Sequence, residues 1–372
     1  MNLLSPAPRR TTTAVLIACK NGEATIASAV RSALGQADVF VVSDGSTDRT
    51  CAVAEAAGAS VLHRATSGGK PDALRAGSRA FSLPKRYDYI AVLDDDTTLE
   101  RDYIDEATRP MDSDATIAAT SGRIDSVWGD ERRWNVLIAM RAFMYWSYQV
   151  TIKRGQNALH VVNVICGANT VFRAEVFETL IAEDAPYAID DMYWLAEVVR
   201  RRLGRVSYVH AARSWTIDPH RFADWYRQTV RWSWGQFQSV RGHRLGVPIR
   251  RDRGGRFPVR FSWFDFAYLA LLLDWLPYMT EPLIFPPLAY FLRGWVDPRW
   301  FVVYYLGASV LWIALAALAL RKPRLLLLSP AIIVLDLVYR VAMIHALVKA
   351  IRIPRVQACA WDSPARFELE HS

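Results

Sequence analysis

The sequence predicts an α/β domain on a mostly parallel sheet, followed by interfacial helices and a small C-terminal transmembrane helical region. Three observations predict it. Short β-rich runs alternate with Ala-rich amphipathic stretches over residues 13–121, the pattern of strands joined by crossover helices. Polar clusters follow three of those runs, and in open α/β sheets ligands bind beyond the carboxyl ends of the strands. The long apolar runs all fall after residue 260.

In chain order, Thr13–Ala18, Val39–Ser43, Ser60–Leu62, Tyr89–Leu93 and Thr116–Thr120 read as strands. Ala24–Leu34, Asp48–Ala57, Pro71–Ala80 and Glu100–Met111 read as the helices between them, which implies a parallel sheet covered on both faces. A long aromatic, Arg-containing helix, Glu131–Lys153, interrupts the alternation. A strand region at Val161–Arg173, a helix opened by Asp190-Asp191 and a short strand at Arg205–Val209 complete residues 13–215 as one domain. Residues 1–12 are expected to be disordered. Residues 216–260 form an interfacial region, because Arg221–Arg241 is helical in period and dense in Trp, Tyr and Arg.

The membrane region is placed at residues 261–352. Phe264–Leu292 is apolar but interrupted by Asp274 and four prolines. Trp300–Leu320 has the length a spanning helix needs. Leu325–Ile351 carries Asp336, Arg340, His345 and Lys349, whose i,i+4 spacing lines them along part of one helix surface. Charges are costly at the lipid centre, so this segment is read as interfacial or packed on the catalytic domain. Two crossings then keep the Arg-rich segments 241–260 and 321–324 on the cytosolic side; three crossings are the alternative. Residues 353–372 form a tail.

Bulk composition agrees with this division. Of 372 residues 52% are apolar and 14 are Trp, more than a purely soluble chain needs, and the net charge is +8. The basic run lies beside the first apolar segment, so the partner it fits is an anionic lipid surface rather than nucleic acid. Cys19, Cys51, Cys166 and Cys359 show no metal-type spacing, which excludes a zinc ribbon and fits a reducing compartment. No secretory signal pattern precedes Thr13. The first 250 residues are therefore expected in the cytosol, on an integral plasma-membrane protein.

The sharpest local signal is Asp94-Asp95-Asp96 at a strand end. Clustered carboxylates suit Mg²⁺ or Mn²⁺, which take hard oxygen ligands together with a diphosphate. Taken alone, the run is equally an acidic surface turn. Asp44-Gly45-Ser46 follows the second strand, where a carboxylate can accept from a base or a ribose and glycine permits close approach. Glu23, and Lys70 after Gly68-Gly69, are weaker signals of the same kind. Asp190-Asp191 opens a helix, where carboxylates ordinarily act as caps, yet the same position holds a general base well. Gln228, Arg231 and Trp232 share one helix face.

Together these residues resemble the family 2 inverting glycosyltransferases of GT-A fold, in particular membrane polysaccharide synthases of the cellulose, chitin and hyaluronan type. The resemblance rests on Ala18 to Glu23 (with Lys20), Asp44-Gly45-Ser46, Lys70 to Gly77, and a D-x-D at Asp94 and Asp96. It continues through Gly167-Ala168-Asn169 with Arg173, Asp190-Asp191, and Q-x-x-R-W at Gln228, Arg231 and Trp232. It implies a nucleotide-sugar donor, most simply a UDP-sugar, and a Mg²⁺ or Mn²⁺ cofactor. Asp44 would contact the nucleobase, while Asp94, Asp95 and Asp96 would meet donor diphosphate and metal, with metal on Asp96 and Asp94. Asp191, or its neighbour Asp190, would be the base. Gln228, Arg231 and Trp232 would hold diphosphate and acceptor, over a floor made by Gly167 to Asn169. Trp361 and Arg366 loosely resemble the gating loop of these synthases. The implied function is transfer of a sugar to a growing polysaccharide at the membrane. A single transfer to a membrane lipid and a non-catalytic envelope-assembly subunit are the alternatives.

Overall fold

The computed structural model describes residues 12–129, 132–162, 164–243, 291 and 297–356. Eight strands form one sheet: β1 (Thr13–Cys19), β2 (Asp38–Asp44), β3 (Ser60–Arg64), β4 (Tyr89–Asp94), β5 (Thr97–Leu99), β6 (Ile117–Ser126), β7 (Asn169–Arg173) and β8 (Arg205–Thr216). Their order is β3-β2-β1-β4-β7-β6-β8-β5. The helices are α1 (Ile26–Ala33), α2 (Thr50–Ala56), α3 (Lys70–Ala80), α4 (Leu83–Arg86), α5 (Tyr103–Ser113), α6 (Val136–Ser147), α7 (Arg154–Ala158), α8 (Ala174–Ile181), α9 (Asp190–Arg200), α10 (Phe222–His243), α11 (Pro298–Ala319), α12 (Arg324–Leu327) and α13 (Ser329–Arg352).

Strand periodicity divides the interior into two cores. Along β1, Ala14, Leu16 and Ala18 point to one face and Val15, Ile17 and Cys19 to the other, as successive side chains of a pleated strand must. The first face is covered by α3, α8 and α9, the second by α1 and α5. At Gly77 on α3 a Cβ would lie 2.4 Å from Val42 Cγ2. Only glycine lets that helix sit so close to β2.

The sheet is mixed yet mostly parallel, as expected, for β6 and β8 also pair in parallel. Strands β3, β2, β1 and β4 are parallel, but β7 enters antiparallel between β4 and β6, and β5 pairs antiparallel with β8. Strand periodicity carries no direction, so the sequence alone could not show this reversal. β8 runs on to Thr216, past the expected end at Val209. Its polar members hide the alternation, yet Arg213 finds Asp125 of β6 at 3.1 Å. β5 was not expected at all.

The long aromatic helix begins at Val136, with the Asn135 side chain accepting from the amides of Leu137 and Ile138. It passes into a π-helical turn, Tyr148–Lys153, before α7. The strand region expected at Val161–Arg173 is regular only over β7.

α10 packs on α9 and lies along α13, with Val230 and Phe237 against Met343 and Ala346. α11 meets α6 through Trp312, whose indole N–H donates to Ser147 Oγ at 2.8 Å. Among the described helices, α13 is the one long and apolar enough to cross a membrane, while the strongly apolar part of α11 is shorter. This differs from the expectation of a crossing at 300–320 with the last segment interfacial or packed on the catalytic domain. Phe264–Leu292 apart from Phe291, the basic run beyond His243, Trp361 and Arg366 lie outside the described residues.

Candidate active site

The carboxyl ends of β1, β2 and β4 present the predicted polar clusters side by side, and they separate into two groups. At β2, the buried Asp44 carboxylate is fully used by its own chain. It accepts from Ser67 Oγ at 2.9 Å and from the amides of Gly68 and Gly69 at 3.0 and 2.9 Å, and it pairs with Arg64 at 2.8 Å. Gly45 beside it has φ +69°, and a Cβ there would strike the Ser67 amide at 2.8 Å. Glu23 accepts from the Arg49 amide at 2.8 Å, tying the β1 loop to the β2 loop. Ala18 is core. Glu23 and Asp44 thus shape the strand ends around the loop that delivers Lys70, and Ala18 and Lys20 stand beside them at the end of β1. They do not line the cavity described next.

That cavity, of about 640 Å³, gathers the second group. Asp94 and Asp96 enter it from the turn after β4, Lys70 from the start of α3, and Asp190 and Asp191 from the start of α9. Lys70 Nζ bonds Asp94 Oδ1 at 2.6 Å and the Gly167 carbonyl at 3.1 Å. The amide of the same Gly167 donates to Asp191 Oδ2 at 3.2 Å. One glycine therefore couples the acidic turn to the helix carboxylates. Asp95 is 1% exposed and takes the Cys19 thiol at 2.9 Å.

Electrostatics separate the roles. Burial works to lower the Lys70 proton affinity, but Asp94, Asp190 and Asp191 override it and hold the ammonium well above the usual lysine range. Burial, with Asp94 and Asp218 next, pushes Asp96 up to about 7. Burial, then Asp190, pushes Asp191 up to about 6, against Lys70 and the amides of Met192 and Gly167. Asp190 is 6% exposed and its Oδ2 has no hydrogen-bond partner among the described residues. Two half-buried carboxylates side by side at Asp94 and Asp96 form a site that suits a divalent cation. Among the described residues no three acidic, His or Cys side chains converge as a metal cluster, so donor oxygens and water would complete the coordination.

Gln228, Arg231 and Trp232 also line the cavity, from α10. Gln228 and Trp232 are positioned by a residue not singled out in the sequence. Arg141 on α6 is fully buried, donates to Gln228 Oε1 at 3.1 Å and Thr229 Oγ1 at 2.8 Å, and sits 4.5 Å from the Trp232 ring centre. Asp218, just past β8, is a further missed carboxylate. It is buried, accepts from Tyr145 at 2.9 Å and lies 4.0 Å from Arg141 Nε. Lys153, from the π-helical turn, is the third residue missed. The available signals were a charge inside an apolar helix, for Arg141, and an acid at a strand end, for Asp218.

Two expected site residues are structural. Arg173 stands at the opposite end of β7 from the cavity, paired with Tyr89 at the start of β4, and binds the carbonyls of Ile117, Met111 and Asp114. Asn169 is 2% exposed and binds Ser214 Oγ at 2.8 Å. Gly167 and Ala168 border the cavity.

The glycosyl transfer family 2 model matches residues 14–181. Among solved structures, a mannosyltransferase from Pyrobaculum calidifontis in complex with GDP-Man and Mn²⁺ is similar over 94% of this chain and 90% of its own, with TM-score 0.57 and 17% identity. Glucosyl-3-phosphoglycerate synthase from Mycobacterium tuberculosis, in complex with Mg²⁺ and UDP, shows TM-score 0.42 and 18% identity over 62% of this chain and 79% of its own. No curated protein matches the chain. Residues 14–181, with their mixed GT-A-like sheet and the acidic turn at its edge, thus match the glycosyl transfer family 2 model.

Proposed function

We propose that this protein is a membrane-bound inverting glycosyltransferase that moves a sugar from a nucleotide diphosphate donor to an acceptor reaching the cavity from the bilayer. The observation that carries this reading is the convergence of Asp94, Asp96, Lys70 and Asp191 around one cavity, with Lys70 under the charge of both acidic groups. Asp94 and Asp96 would hold Mg²⁺ or Mn²⁺, which neutralises charge on the departing nucleotide diphosphate. The mannosyltransferase cited above was solved with Mn²⁺. Asp191 takes the proton of the attacking acceptor hydroxyl. Its raised proton affinity suits a base working near neutral pH, and the Gly167 and Met192 amides orient it. Lys70 supplies a fixed positive charge between donor and base. Gln228 and Trp232, braced by Arg141, form the wall from α10.

The acceptor best supported is a membrane lipid. The cavity continues from the carboxylates onto Trp312 and Ile313 of α11 and Ile332 and Ile333 of α13, walls that fit a hydrocarbon chain. Val302, Val303 and Leu311 of α11 and Val334, Val341 and Ile351 of α13 are exposed, which supports contact with lipid. In this reading the catalytic domain faces the cytosol at the plasma membrane. Extension of a polysaccharide is the second reading, favoured by Gln228, Arg231 and Trp232 together on the cavity wall. Incubating the purified protein with Mn²⁺ and labelled UDP- and GDP-sugars in the presence of membranes tests both. One shifted lipid product supports the first reading, a product ladder the second. Absence of nucleotide diphosphate release with any donor would overturn the enzymatic proposal.

A further inference from the structure

Lys153 stands on the π-helical turn after α6, is 3% exposed and lines the cavity. Among the described residues its ammonium makes no hydrogen bond or ion pair; the Tyr208 ring centre lies 5.3 Å away. A buried cation without a partner is costly, and such single π turns gather at functional positions. Burial pulls its proton affinity below the ordinary lysine value, while Cys166 and Asp191 act in the other direction. An anion entering the cavity would supply the missing partner.

The geometry points to Lys153 as the residue that binds an anionic head at the reactive end of the acceptor, which makes the acceptor class an anionic amphiphile. This rests on the glycosyl-transfer reading above. The side of the reaction follows from the neighbours. Lys153 responds to Asp191, the base that meets the acceptor, whereas Lys70 already serves Asp94. The tail follows from continuity. The helix leading into the Lys153 turn carries Trp146, whose ring centre is 5.1 Å from that of Trp312, and Ser147, bonded to the same indole. Head and chain therefore share one wall, cationic at one end and apolar at the other.

In the transfer step an oxygen of the anionic head attacks the anomeric carbon, and where the head is a phosphate monoanion its O–H proton goes to Asp191. The new carbon–oxygen bond forms as the bond to the donor breaks, and that electron pair leaves on the nucleotide diphosphate. Lys153, held in its charged form by the anionic head, offsets the repulsion between that head and Asp190 and Asp191.

The test uses the detergent-solubilised full chain with Mn²⁺ and farnesyl phosphate, farnesol or 3-phosphoglycerate as acceptor. Wild type should prefer farnesyl phosphate over both others, which lack the charge and the tail respectively. Lys153→Met should raise the farnesyl phosphate KM at least tenfold, Lys153→Arg should return it to within a few fold of wild type, and the loss should not appear in the donor KM. Equal use of farnesol, equal use of 3-phosphoglycerate, or a loss confined to the donor KM would overturn the assignment. Thermal protection separates this proposal from the enzymatic one. If no donor turns over, protection of wild type but not Lys153→Met by farnesyl phosphate still supports an anion site, and protection of neither overturns it.

Discussion

Asp191 is held between two influences, burial beside Asp190, which raises its proton affinity, and Lys70 with two amides, which lower it. Its value of about 6 sets the pH response. The base works ionised, so kcat/KM should fall as pH drops through about 6 and level off above it. A pH–rate profile checks this, and a rate flat down to pH 4.5 would remove Asp191 from the role. Asp191→Asn should lower kcat by roughly 10²–10⁴-fold, the usual worth of a general base, with donor binding kept. A variant with normal turnover would place the base elsewhere. Asp96→Asn should lose Mn²⁺-dependent nucleotide diphosphate release, and chelation should silence the wild type in the same assay, since hard oxygen ligands are what such a cation needs. These carboxylates were legible in the sequence because acids at a strand end and a helix start stand out from their surroundings. Arg141, Asp218 and Lys153 were not, because each becomes interpretable only through partners on other elements.

Among the elements, α3 is fixed by how closely it approaches the sheet. Gly77→Ala would bring a methyl within 2.4 Å of Val42 Cγ2 and should cost about 1–3 kcal/mol by overpacking. A lowered melting temperature with unaltered metal dependence is the expected result; an unchanged melting temperature would mean that α3 shifts freely. The strands of the first half were readable from period and β-branched content, and β1 falls within a residue of its expected span. β5, the far half of β8 and the reversed β7 were not, since β5 and β8 pair across more than a hundred residues and β7 and β4 across more than seventy. The expected role of Arg173 failed for the same reason. It sits on the right strand, but β7 runs opposite to β4 and so carries it to the far end.

On the scale of the whole molecule, α10 joins the catalytic domain to α13, and the outward faces of α11 and α13 remain apolar. Val341, 58% exposed on α13, gives a test of membrane attachment. Val341→Asp should shift the protein from the membrane pellet towards the soluble fraction, because a charge on a lipid-facing position costs about 2.5–3.5 kcal/mol at a helix centre. Unchanged pelleting would place the bilayer against another face. The inward side of α13 carries its own polar pair, Asp336 and Arg340 at 2.9 Å, with Tyr305 donating to Asp336 at 3.2 Å. The i,i+4 spacing foretold that pair, but not that it borders the same cavity as Asp94.

The sequence by itself determined the α/β class, the strand ends that bear acids, and the division between a polar first part and an apolar second part. Each follows from local period and local chemistry, which a short window of residues contains. Only the tertiary structure decided that the sheet is mixed, that Asp44 serves its own loop, and that Arg141 and Lys153 face the same cavity as Asp94, Asp96 and Asp191. Those facts depend on strand direction and on contacts between residues far apart in the chain, neither of which local periodicity encodes.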